Sequence, residues 1–232
     1  MSSLPIAAVL LPVRDLLRGE SRCIARRLDV LLLLLGVVAA WWLYVPVHEL
    51  LHALACVVAG GNVSRLEIDP IYGGALLARV LPWVVAGGDY AGRLSGFDTH
   101  GSDGIYLATD LGPFLLTIFP GVWALRRAAR AERPLLFGMA APLAFAPIVS
   151  LGGDMYEIGS VLTTRLPPWQ TAASALRGDD VARVASELSR AGAAPITWLG
   201  FAAGCVLALL AALALYWAGA GVGRALGEPA LS

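Results

Sequence analysis

The 232-residue chain is 58% apolar and only 15% charged, with a mean hydropathy of +0.72, well above what a soluble domain of this size needs, so it reads as an integral membrane protein. Its seventeen basic residues are all arginine and balance seventeen acidic ones; they form no basic tract for nucleic acid, and there is no lysine to act as a nucleophile. Cys23, Cys56 and Cys205 are widely scattered without a CxxC pair, which argues against a disulfide framework or a cysteine-based zinc site.

Residues 4–17 carry a short apolar run that no basic residue precedes and that Arg14 and Asp15 interrupt, a poor signal peptide. Ile6, Val9, Leu10, Val13 and Leu17 fall near one helical face. Residues 1–28 are therefore expected to form an interfacial helical segment, with Arg14, Arg18, Arg22, Arg26 and Arg27 at the headgroups.

From Val30 to Ala59 the only charged residue is Glu49, and a helix of that length spans about 45 Å, more than a hydrocarbon core. Pro46 offers a kink in this first span, or is simply tolerated there. Just after it comes Val47-His48-Glu49-Leu50-Leu51-His52, an HExxH motif. Four residues apart on a helix, His48 and His52 project from one face and can grip one zinc ion, with Glu49 beside them as a candidate general base. Ionisable groups are costly inside a bilayer, and three within five residues favour a metal over two hydrogen-bonded core histidines. Cys56, one turn beyond His52, lies about 6 Å further along the axis and reads as a small buried hydrophobe rather than a ligand.

Gly60-Gly61 end that helix, and residues 62–80 alternate in polarity on either side of a Pro/Gly turn, the pattern of a β-hairpin. Strand edges cannot face lipid, so the hairpin belongs at the interface, where a free edge can receive an extended peptide. Residues 81–103 read as a glycine-rich polar loop, with a short dipping segment at Trp83–Ala86. It holds the third histidine, His100, between Asp98 and Asp103 and solvated rather than metal-bound. Further spans fit residues 104–125, 134–153 and 195–218. Asp179-Asp180 cap an amphipathic helix between the last two, and Gly200 and Gly204 allow close helix contact.

The expected fold is thus an all-α membrane protein of about four transmembrane helices, near 30–59, 104–125, 134–153 and 195–218, with an interfacial β-hairpin after the HExxH helix. The membrane-embedded domain covers 29–225 and a tail 226–232. Arginines before the first span and at 126, 127, 130 and 133 place both termini in the cytoplasm of a multi-pass protein, read as one of the bacterial inner membrane.

The run HELLHALACVVAGGNVSRLEI, followed by GGALLARV, resembles the site-2 protease class of intramembrane zinc metalloproteases over roughly residues 30–165. The resemblance implies that His48 and His52 are zinc ligands and Glu49 the catalytic base. Leu111-Gly112-Pro113 looks like that class's Gly-Pro segment, and Asp154 like the third ligand. Two features depart from the pattern: Leu151-Gly152-Gly153-Asp154 puts the glycines before the aspartate, and the only asparagine is Asn62. Asp110, Glu157 and His100 compete for the third position, and Asp154 could instead cap the helix beginning near Met155. The expected activity is zinc-dependent hydrolysis of peptide bonds in a membrane-anchored protein substrate, with Glu49 activating the water. A non-catalytic membrane assembly module and a metal-ion transporter are the alternatives; the intact Glu49 weighs against the first and the lack of internal repeats against the second.

Overall fold

The computed structural model describes residues 9–231; Ile6, placed on the interfacial face by the sequence, lies outside them, as do the rest of 1–8 and Ser232. Helix α1 (Leu11–Cys23) turns Asp15, Gly19 and Cys23 inward and leaves Val13 and Leu17 exposed. Burial pushes the Cys23 thiol up to about 11, so it is inert.

Helix α2 (Arg27–Val58) carries the HExxH motif. Its start is fixed by the Asp29 carboxylate, which accepts from the Ala25 and Arg26 amides at 3.0 and 2.7 Å, satisfying donors that a helix leaves open. It runs unbroken through Pro46. It stops where Gly60 takes φ +97°, a left-handed turn that lets Gly61 N return to Cys56 O at 2.8 Å.

The chain then enters strand β1 (Asn62–Ile68), whose Leu66 and Ile68 are fully buried. Here the expected hairpin over 62–80 is corrected. Asp69 accepts from Ile71 N and starts a 3-10 turn, Gly73 is left-handed, and Gly74–Leu77 form a short helix, α3, in place of a second strand. Ala-Leu-Leu-Ala prefers a helix and lacks β-branched residues. The partners of β1 come from the region read as a loop: β2 (Val84–Ala86) pairs with it in parallel and β3 (Gly92–Asp98) antiparallel, giving the order β2-β1-β3. With two glycines and no β-branched residue, β3 left almost no strand signal in the sequence.

Helix α4 (Asp103–Leu111) continues through the turn at Gly112–Phe114 and a wide turn at Thr117–Gly121 into α5 (Val122–Arg130). Helix α6 (Pro134–Val149) follows, then a tight turn at Ser150–Gly152 and α7 (Asp154–Thr164). After the short α8 (Ala173–Leu176) comes α9 (Val181–Arg190), capped by Asp180 as its sequence predicts. Helix α10 (Pro195–Ala225) closes the bundle. Among the described residues four helical stretches are long and apolar enough to cross a membrane: Arg27–Val58, Asp103–Arg130, Pro134–Gly152 and Pro195–Ala225.

Close backbone approach holds the bundle together. A Cβ on Gly138 would lie 2.1 Å from Leu33 O, seating α6 on α2, and one on Gly159 would lie 2.1 Å from Gly204 O, seating α7 on α10. At one end a fully buried Arg126 donates twice to Asp15 Oδ2, at 2.9 and 2.7 Å, and Tyr216 donates to the same oxygen at 3.1 Å. The tail is not free: Glu228 pairs with Arg127 and Arg130, and Leu231 is buried. The N-terminal helix, the 126–133 turn and the C-terminal segment therefore share one end of the bundle.

Candidate metal centre

His48 and His52 lie one turn apart on α2, and the break between α6 and α7 brings Asp154 to them. His48 Nε2 is 3.0 Å from His52 Nε2 and 3.1 Å from Asp154 Oδ2, and His52 Nε2 is 3.7 Å from that oxygen. Ligands at about 2.0–2.1 Å from a tetrahedral zinc are separated by about 3.3–3.4 Å, so this triangle has the size that one ion requires. The three residues are the group of His, Cys, Asp and Glu that can hold a metal among the described residues.

Their hydrogen bonds decide which atoms are ligands. His52 Nδ1 faces the Thr109 carbonyl at 2.8 Å; a carbonyl only accepts, so Nδ1 carries the proton and the Nε2 lone pair points into the triangle. Tyr44, one turn before His48, meets His48 Nδ1 at 2.8 Å through its hydroxyl, and Ser150 donates to Asp154 Oδ2 at 3.0 Å. Such outer partners orient metal ligands, and the acceptor opposite His52 Nδ1 also raises the basicity of Nε2. The donor set suits zinc.

Asp154 owes its place to the local chain path. Gly153 sits at φ −119°, ψ −119°, and the first turn of α7 closes by Glu157 N donating to Gly153 O at 3.0 Å with no side-chain cap. The Asp154 carboxylate is thus turned to the histidines and not to a helix N-terminus. Of its competitors, Glu157 accepts from the Tyr106 hydroxyl, and Asp110 is buried beside Thr109 outside the triangle. His100 is exposed in a turn, 3.2 Å from both Asp98 and Asn62. Cys56 is fully buried, with its thiol 3.8 Å from Asn62 O.

Glu49, on the same turn as the two histidines, lies against β3. A Cβ at Gly92 would fall 2.4 Å from Glu49 Cγ, so glycine is what lets the strand pass this close. Glu49, His52 and Asp154 open into a polar cleft of about 470 Å³, walled on one side by β3 residues 92–95 and on the other by α4 and α7. β3 is an edge strand of the sheet.

Several of these residues escaped the sequence reading. Tyr44 carried a signal, since it precedes His48 by the same four residues that separate the two histidines. Ser150 precedes Asp154 by four. The Thr109 carbonyl carried none, because only packing of α4 on α2 places a backbone group. Comparison of the chain with models of known families, with curated proteins and with solved structures finds no match.

Proposed function

We propose that the protein is an intramembrane zinc endopeptidase of the site-2 protease kind, acting on membrane-anchored protein substrates. The observation that carries this reading is the triangle of His48 Nε2, His52 Nε2 and Asp154 Oδ2, with its fixed tautomer at His52, opening beside Glu49 into a polar cleft. His48, His52 and Asp154 hold the ion; when bound, zinc supplies a Lewis acid that polarises a carbonyl and brings the pKa of water towards about 7.

The rest is done by the chain. Glu49, held against β3, accepts the proton of the attacking water and passes it to the leaving amine. Tyr44, Thr109 and Ser150 keep the ligand atoms aimed inward, so little reorganisation is needed when substrate arrives. A helical substrate hides its carbonyls, so the segment to be cut must unwind; pairing along the edge of β3 holds it extended past Glu49. The arginine-rich end of the bundle faces the cytoplasm on this reading.

The test is cleavage of membrane-anchored substrates in proteoliposomes by wild-type protein and the Glu49→Gln variant, both assayed for zinc. We expect both to hold one zinc and the variant to lose at least about 100-fold in rate, the usual weight of a general base. Undiminished cleavage by the variant would remove Glu49 from the chemistry.

A further inference from the structure

The cleft beside the metal centre holds more carboxylates than the proposed chemistry uses. Asp110, on the last turn of α4, is 4% exposed, lines the cleft, and leaves Oδ2 buried without a hydrogen-bond partner. Glu157 stands one turn after Asp154 on α7 and lines the same space, with one carboxylate oxygen accepting from Tyr106. The cations of the cleft are at its mouth and already paired: Arg93 and Arg183 both meet Asp179, at 3.2 and 2.8 Å. Glu49, Asp110, Asp154 and Glu157 therefore face the interior with no arginine among them. A buried carboxylate without a partner is costly enough that folds retain it where something binds.

We propose that Asp110 and Glu157 form a subsite for a basic side chain, lysine or arginine, carried by the substrate next to its scissile bond. The assignment deepens the endopeptidase reading and rests on it. Position supports it. Asp110 directly follows Thr109, whose carbonyl holds His52, and Glu157 lies about 4.5 Å along α7 from Asp154. An extended chain rises about 3.3 Å per residue, so a side chain reaching these carboxylates belongs within about two residues of the bond at the metal. A long aliphatic stem suits the approach, since it passes the paired charges of the mouth and delivers its own charged head to the acids inside. Arginine can also bridge the Asp110 and Glu157 carboxyl groups, through its forked donors.

Zinc-loaded protein in nanodiscs is given a proteome-derived peptide library, and the cut sites are read by mass spectrometry. We expect lysine and arginine to be enriched at one fixed position within two residues of the cut. In the best peptide, replacing that arginine by citrulline, of the same shape without the charge, should lower kcat/KM about 10- to 100-fold in the wild type, the scale of a desolvated charge pair. The same replacement should have almost no effect in Asp110→Asn and Glu157→Gln, two variants whose zinc content and thermal unfolding report whether each is folded. Cleavage without basic enrichment, or a citrulline penalty undiminished in both folded variants, would overturn the subsite. If no peptide is cut, the endopeptidase reading is judged by the proteoliposome assay above and the subsite by ligand-observed NMR. Acetyl-Ala-Arg-Ala-amide should then bind and its citrulline counterpart should not, with binding lost in the folded variants; equal binding of the two peptides would refute it.

Discussion

Glycine at position 92 is as much part of the site as the carboxylate it faces. With a Cβ 2.4 Å from Glu49 Cγ, Gly92→Ala must move either the strand or Glu49, and for a general base, the role proposed for Glu49, a small misplacement is expensive. We expect this variant to keep its zinc and its fold while kcat falls at least about 10-fold, measured by metal analysis and turnover on one sample. At this scale the sequence was most informative where chemistry demands fixed spacing. His48, Glu49 and His52 declare themselves because a helix puts i and i+4 on one face. Asp154 was one of several acids within reach in sequence. Its place beside the histidines depends on the Gly153 backbone and on packing between α6, α7 and α2, and no local pattern encodes that.

Among the elements, the third long apolar stretch is the instructive one. Its sequence stops being apolar near Gly152, and the expected span ended there, yet helical structure resumes at Asp154 and lies against α10. The interruption at Ser150–Gly153 sets the Asp154 carboxylate beside the two histidines of α2. The contact that seats α7 can be tested: a Cβ on Gly159 would stand 2.1 Å from the Gly204 carbonyl, so Gly159→Ala should destabilise the protein by about 1–3 kcal/mol, read as a lowered unfolding midpoint in detergent. Gly204, half of the GxxxG pair noticed in the sequence, thus serves a contact within the chain. The sheet was only half legible. β1 alternates with Leu66 and Ile68 inward, whereas β3 is glycine-rich and becomes a strand because β1 offers it a partner.

For the molecule as a whole, apolar runs foretold four long helices, and among the described residues four helical stretches have the required length. What they could not foretell is how one end is fastened. Asp15 and Arg126, both fully buried, tie α1 to α5, and Tyr216 adds α10. Removing one partner of such a pair strands the other charge, so Asp15→Ala should cost about 3–5 kcal/mol in stability, measured by reversible unfolding in mixed micelles, while leaving the metal ligands in place.

Everything proposed about catalysis depends on three atoms, His48 Nε2, His52 Nε2 and Asp154 Oδ2, forming one metal site. The most direct measurement is zinc per chain in protein purified without chelator, for the wild type beside Asp154→Ala and His52→Ala. We expect close to one zinc in the wild type and almost none in either variant after equal dialysis. A wild type that holds no zinc even when it is supplied, or a variant that keeps its full complement, would contradict the account.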